Sequence, residues 1–293
     1  MNRTAVSEPA CGARARRAGC RALCVAALAV AIALGHASAV AQVAQAPQIG
    51  QESRDSVWVP TPERMIRRLL QMADTTAADV VVDLGSGDGR IPIYAARHFG
   101  ARGIGVELEE NLVRLSVESA QAQGVADRVR FVRQDLFEFD LSEATVVALY
   151  ISPRVMTRLK PRLLALRPGT RIVSHFFTLD EWEPDETIRV EDRTGHLWVV
   201  PADVRGAWTL RTGEDTVRLA VQQERQRLAI RATRDGREVP VIGVRLRGTE
   251  INFTSFDADG SVRHYRGRVE GARMAGESGA QGDVPVGWSA VRD

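Results

Sequence analysis

The chain has 293 residues, of which 44% are hydrophobic and 26% charged, a mixture typical of folded proteins that excludes collagen-like, disordered and multi-span membrane classes. Residues 1–41 hold five arginines and one glutamate, so this stretch carries +4 and the remainder carries −2 of the total of +2. A mildly acidic body gives no electrostatic reason to expect a nucleic-acid partner.

The first 41 residues have the order of a secretory signal peptide. A basic stretch over residues 14–21 precedes an apolar run over residues 22–34, and small residues at Ala37, Ala39 and Ala41 supply two cleavage sites. An uncleaved anchor and an extension from a misassigned start codon are the alternatives. We therefore expect a periplasmic or secreted protein, or one anchored in the inner membrane, with membrane association through this leader. All three cysteines lie in it, so no disulfide or Cys-based zinc site is expected beyond residue 41.

Residues 42–56 are polar and predict a linker, and residues 57–203 predict a first domain. Its first helix is expected to begin with Thr61 as N-cap and Pro62 as the first helical residue. Short apolar strands then alternate with amphipathic helices, which indicates a mostly parallel sheet covered on both faces. The predicted strands are Val80–Asp83, Gly103–Glu107, Val129–Gln134, Thr145–Tyr150 and Arg171–Phe176, and the predicted helices are Ile91–Phe99, Leu112–Gln123 and Val155–Leu166. Two further strands, Thr187–Glu191 and His196–Val200, predict an antiparallel hairpin that closes the sheet.

The pattern changes after Asp203. Residues 206–293 contain about eight short alternating segments separated by turn signals such as Asp235-Gly236. No helical pattern remains, so we expect a small antiparallel β domain, a sandwich or a barrel, of unknown role. Trp208 and Trp288 are expected to belong to its core.

The most informative stretch is Val80–Arg90, in which a buried strand leads into a glycine-rich turn that opens a helix. A dinucleotide fingerprint requires its third glycine at position 90, but that residue is arginine and the third glycine is Gly89. An NAD or FAD site is disfavoured for this reason, and no Walker-type Gly-Lys-Ser/Thr sequence is present.

The sequence Asp83-Leu84-Gly85-Ser86-Gly87-Asp88-Gly89 resembles motif I of class I S-adenosyl-L-methionine (SAM)-dependent methyltransferases. This resemblance implies a Rossmann-like seven-stranded sheet and SAM as the cofactor. It also implies that Asp83 pairs with the α-ammonium of SAM, that Glu107 accepts from the ribose hydroxyls, and that Asp135 accepts from the adenine amine. The implied cofactor-binding residues are Asp83, Gly85, Ser86, Gly87, Asp88, Gly89, Glu107, Asp135 and Leu136.

Three stretches, residues 57–62, 85–91 and 149–153, carry a closer resemblance to one family. These stretches are similar to the small methyltransferases that modify a lysine of the membrane-embedded c subunit of ATP synthase. The similarity covers residues 57–185 and implies an amine acceptor, in particular a protein lysine. The export-type leader departs from the family's pattern. A small-molecule methyltransferase and a non-catalytic SAM-fold binding protein of the cell envelope therefore remain alternatives.

Two residues at strand ends are candidates for the chemistry. Tyr150 is a candidate for positioning the substrate, and His175 is a candidate acid–base group, because ligands in this fold lie at the carboxyl ends of the strands. Both residues could instead serve only in packing. No metal site is expected. The acids at 181, 183, 185 and 186 form either a solvated loop or a patch that attracts a basic substrate, and the sequence indicates no oligomeric state.

Overall fold

A computed structural model of the protein describes residues 59–257, 259–280, 282 and 284–293. The predicted leader and linker lie outside the described residues and remain predictions. Within the described residues, no helix has the length and apolar character needed to cross a membrane.

Four helices and two sheets make up the described part of the chain. The helices are α1 (Glu63–Met72), α2 (Arg90–Phe99), α3 (Glu110–Ala122) and α4 (Pro153–Leu164). The first sheet contains β1 (Val80–Leu84), β2 (Arg102–Glu107), β3 (Val129–Arg133), β4 (Val146–Leu149), β5 (Arg171–His175), β6 (Glu186–Val190) and β7 (Arg193–Val199). The second contains β8 (Gly206–Thr212), β9 (Asp215–Glu224), β10 (Arg227–Arg234), β11 (Arg237–Val239), β12 (Val241–Arg247), β13 (Glu250–Phe256), β14 (Val262–Glu270), β15 (Arg273–Gly279) and β16 (Val286–Arg292).

The first sheet has the order β3-β2-β1-β4-β5-β7-β6. Its first five strands are parallel, whereas β7 runs antiparallel to β5 and β6 antiparallel to β7. This arrangement confirms the predicted Rossmann-like seven-stranded sheet and the antiparallel hairpin that closes it. Because consecutive parallel strands end on the same side, the turns after β1 to β5 lie at one edge.

Apolar residues on both faces stabilise this sheet. β1 is buried along its whole length, as β-branched residues of a central parallel strand usually are. One face packs against Met156, Leu159 and Leu163 of α4, and the other packs against Leu69 and Leu70 of α1. The sheet is therefore covered on both faces, as the sequence predicts.

The predicted start of the first helix is wrong by one residue. Pro62, and not Thr61, is the N-cap of α1, and no side chain caps this helix. The hydroxyl of Thr61 instead lies 3.3 Å from Nδ1 of His175, at the end of β5. The hydroxyl of Thr61, which the local sequence pattern assigns to helix capping, therefore makes a tertiary contact with His175.

The second sheet is antiparallel and has nine strands, one more than expected, in the order β11-β10-β9-β8-β16-β15-β14-β13-β12. It curls so that β12 approaches β10, which favours the barrel over the sandwich. Asp235 and Gly236 both have positive φ, as a tight hairpin turn requires. Trp208 and Trp288 are buried inside, as expected.

The turn between β9 and β10 holds the loop at residues 176–185, which follows β5. The side chain of Gln226 accepts from Nε1 of Trp182 at 3.0 Å and donates to the carbonyl of Glu183 at 2.7 Å. Arg225 donates to the carbonyl of Glu181 at 2.7 Å. Since Trp182 is fully buried, Gln226 of the second sheet supplies a hydrogen bond that Nε1 of Trp182 cannot obtain from solvent.

Candidate functional site

The turn between β1 and α2 is built from glycines with positive φ. Gly85, Gly87 and Gly89 have φ of 80, 55 and 75°, respectively. A Cβ at Gly89 would lie 2.6 Å from the ring of Phe131 in β3, so close packing also requires glycine at this position. The turn therefore brings main chain, with few side chains, to the open edge of the sheet.

Glu107, the last residue of β2, fixes this turn. Its Oε2 accepts a hydrogen bond from the N–H of Gly87 at 2.9 Å, and its Oε1 accepts from the N–H groups of Leu108 and Glu109 at 2.8 and 3.0 Å. A carboxylate has about four acceptor positions, so Glu107 keeps capacity for a further donor. Main-chain groups therefore hold the carboxylate in place and leave it able to bind a ligand.

Asp83 carries a buried carboxyl group. Its side chain is within β1, only 3% of its surface is exposed, and no donor in the described part of the chain bonds to it. Burial raises the pKa of Asp83 well above its usual value, and the negative charges of Glu107 and Asp88 raise it further. A cationic group in the cleft would supply the missing partner.

A single cleft of about 1030 Å³, part of which is open to solvent, joins these residues at the edge of the sheet. It is lined by every predicted cofactor-binding residue except Gly89, namely Asp83, Gly85, Ser86, Gly87, Asp88, Glu107, Asp135 and Leu136. Gly89 lies just beyond, as the N-cap of α2. The three acids are a buried one in β1, one held by main chain at the end of β2 and an exposed one after β3. These hydrogen-bond acceptors face a glycine turn, an arrangement that fits a cationic nucleoside such as SAM.

Arg90 was not identified by sequence reasoning, although it organises one wall of the cleft. Its guanidinium donates bidentate hydrogen bonds to the carboxylate of Asp88, with the closest contact at 2.6 Å. Nη1 of Arg90 donates to the carbonyl of Thr61 at 3.0 Å. Val59, Pro60 and Thr61 line the cleft. Arg90 thus connects the segment before α1 to the glycine turn. The contact joins residues 29 positions apart, so no local sequence pattern predicts it.

Tyr150 and His175 lie together, but only Tyr150 lines the cleft. Their ring centroids are 4.1 Å apart, and His175 has no exposed surface. Burial, with a smaller contribution from the charge of Arg193, lowers the pKa of His175 to about 4, so the imidazole is neutral at physiological pH. Its Nε2 has no partner in the described part of the chain, and Thr61 is its one hydrogen-bonding neighbour there.

Partners within the chain contact three of the four acids that follow β5. Lys160 donates to Glu181 at 2.9 Å, Arg227 lies 2.5 Å from Glu183, and Asp185 accepts from a main-chain N–H of β7. These contacts favour a structural role for the acidic loop over attraction of a basic substrate. Across the residues that the structure describes, no three His, Cys, Asp or Glu side chains are grouped as metal ligands.

Comparisons with known proteins match the part of the chain that forms this cleft. The family model of the ANTKMT methyltransferase domain matches residues 83–186. A protein-lysine N-methyltransferase of Saccharolobus islandicus is 43% identical over 149 residues, which are 49% of this chain and 92% of that protein. A Xenopus laevis lysine N-methyltransferase of the ATP synthase c subunit is 33% identical over 129 residues, and the chain spans 56% of its length.

One solved structure has a higher identity. The crystal structure of an RNA methyltransferase from Salinibacter ruber in complex with S-adenosyl-L-homocysteine is 49% identical, covers 50% of this chain and 96% of that chain, and has a TM-score of 0.49.

Proposed function

The chain belongs to the protein-lysine N-methyltransferase family and is a SAM-dependent methyltransferase, and from this premise we propose that its acceptor is the ε-amino group of a lysine in another protein. The observation that carries the proposal is the 43% identity over nearly the whole length of a protein-lysine N-methyltransferase. Because these relatives are methyltransferases, an enzymatic role is favoured over the non-catalytic SAM-fold binding protein that the sequence leaves as an alternative.

The residues of the cleft suit SAM, with a role for each of the three acids. Asp83 would pair with the α-ammonium, since no cation among the described residues is paired with its buried carboxyl. Glu107 would accept from the ribose hydroxyls with its remaining lone pairs, while its three main-chain contacts keep it in place. Asp135 and the main chain of Leu136 would contact the adenine.

When bound, SAM supplies an electrophilic methyl group on a sulfonium. The chain's own part is then to align a neutral amine with that methyl group and to exclude water from the cleft. Tyr150 lines the cleft next to the fifth parallel strand, and we assign it the task of positioning the acceptor. No covalent intermediate with a protein side chain is needed.

His175 acts by positioning in this proposal. Its side chain is buried behind Tyr150, outside the cleft, with a pKa near 4. A neutral, solvent-inaccessible imidazole in contact with Tyr150 and Thr61 is suited to fixing both residues in place. The acid–base role that the sequence predicts would require an exposed nitrogen in the cleft.

Transfer of tritium from labelled SAM to poly-L-lysine tests this function, because the polymer presents lysine without a particular flanking sequence. After acid hydrolysis, the label should elute as Nε-methylated lysine. Poly-L-arginine and total RNA serve as parallel acceptors and should stay unlabelled. Label in the RNA, with none in lysine, would contradict the proposed acceptor and leave the methyltransferase activity intact.

A further inference from the structure

The chain leaves β5 through a strained turn centred on Phe176. The N–H of Phe177 donates to the carbonyl of His175 at 3.0 Å, and Phe176 between them has φ of +75°. This is a γ-turn with a positive φ at its centre, which is rare and strained, and a bulky residue there is a conformational outlier.

The surroundings hold this turn in place. The N–H of Phe176 donates to the carbonyl of Thr194 at 2.8 Å, and the hydroxyl of Ser174 donates to the carbonyl of Phe177 at 2.8 Å. The strained conformation is therefore imposed by neighbouring strands. Glycine or asparagine would adopt it at lower cost, so folding alone does not account for phenylalanine.

Phe176 is 52% exposed, and its ring ends a series of aromatic rings that begins in the cleft. Tyr150 lines the cleft, Phe177 lies 6.3 Å from Tyr150 between ring centroids, and Phe176 lies 5.2 Å from Phe177 in an edge-to-face arrangement. The series thus runs from the cofactor cleft to the protein surface at the carboxyl end of β5.

We propose that Phe176 forms the outer wall of the path along which the acceptor lysine reaches the cleft. This inference rests on the proposed function and specifies its acceptor side. A lysine side chain has a four-carbon apolar stem and a terminal amine, and aromatic surfaces bind both the stem and, when it is charged, the ammonium. The partner is therefore a lysine that projects far enough from its own protein to pass Phe176 and reach Tyr150.

Methylation of poly-L-lysine as a function of polymer concentration tests the proposal on the full chain. The variants are Phe176→Ala and Phe176→Asn, with Ile242→Ala as the matched control, since Ile242 is 53% exposed on the second sheet. Phe176→Asn is included because asparagine is among the non-glycine residues found most often at positive φ, and thermal unfolding checks that each variant folds. SAM affinity is measured on each protein by calorimetry.

We expect both Phe176 variants to raise the KM for poly-L-lysine about tenfold, because the aromatic contact with the lysine stem and amine is lost, while the Kd of SAM stays unchanged. Ile242→Ala should behave as the wild type. An unchanged KM in both Phe176 variants would overturn the role of Phe176 and leave the proposed function standing. A wild type that binds SAM but labels no lysine would overturn the proposed acceptor itself, and the path with it.

Discussion

Asp83 is the residue on which the cleft's chemistry depends most directly, because it is buried, acidic and accepts no hydrogen bond from the described residues. Its raised pKa means that the folded protein without ligand resists ionisation of this carboxyl. The contribution of Asp83 to stability is therefore greatest at low pH, where the carboxyl is protonated, and decreases as pH rises from the value of an exposed aspartate toward its own.

Asp83→Asn should consequently stabilise the ligand-free protein at pH 7.5, while weakening SAM binding. Replacing this buried ionisable carboxyl by a neutral amide should raise the free energy of unfolding by about 1 kcal/mol, which raises the Tm by about 2–4 °C for a chain of this size. Differential scanning calorimetry without ligand measures the change, and Asp127→Asn, on an exposed loop, is the control. A lower Tm in Asp83→Asn would show that the carboxylate has a stabilising partner.

His175 gives a second prediction, which concerns pH. Its pKa is about 4 in the folded protein and about 6.5 when exposed. Between these values the unfolded chain binds a proton that the folded chain does not, so acidification from pH 7 to pH 4 should lower the free energy of unfolding, by at most about 3 kcal/mol. His175→Gln removes this dependence. Urea unfolding at pH 7.5 and pH 5 measures it, with the exposed His98→Gln as control.

If the wild type and His175→Gln lose the same stability between the two pH values, the buried histidine is not the group that titrates. The comparison uses differences between variants, so carboxylates that titrate in the same range cancel.

At the scale of elements, the β9–β10 turn and the loop after β5 depend on each other. Gln226→Ala removes two hydrogen bonds and leaves the buried Nε1 of Trp182 without its partner, which should lower the free energy of unfolding by about 1–3 kcal/mol. Gln222→Ala, on the exposed face of β9, should change it by less than about 0.5 kcal/mol. Urea denaturation at one pH compares the two. Equal, small effects would mean that solvent replaces Gln226.

The elements that were predicted correctly have strong local patterns. The five parallel strands and the helices α2, α3 and α4 each lie within two residues of their predicted bounds, because buried β-branched runs and helical periodicity are both read within one segment. The three-residue strand β11 is too short for such a pattern. Its pairing with β10 depends on the tight turn at Asp235 and Gly236.

The parts of the site that escaped prediction are contacts between segments distant in the chain. The sequence predicts that Thr61 caps a helix, but its carbonyl accepts a hydrogen bond from Arg90 and its hydroxyl lies beside His175. The positive φ of Phe176 is likewise imposed by β7 and is invisible in a run of apolar residues. In contrast, the glycine turn, Glu107 and Asp135 could be found because each follows a readable strand. Their roles toward SAM remain predictions.

At the scale of the whole molecule, the residues that line the cleft come from the part of the chain that forms the first sheet, and none comes from the second sheet. The match to the methyltransferase family model ends at residue 186, and the second sheet begins at Gly206. All the cleft-lining residues precede that point, and the second sheet contacts the loop at 176–185, which does not line the cleft. The predicted division into two domains and the predicted export are proposals that follow from the sequence.

Calorimetric titration of SAM and of S-adenosyl-L-homocysteine into the protein tests the central claim most directly. We expect binding in the micromolar range, and a loss of about a hundredfold in Glu107→Ala, since two hydrogen bonds to a charged group are worth about 3 kcal/mol. Glu110→Ala, an exposed neighbour that pairs with Arg133, should bind as the wild type does. Failure of the folded wild type to bind either compound, or unchanged binding by Glu107→Ala, would contradict the account.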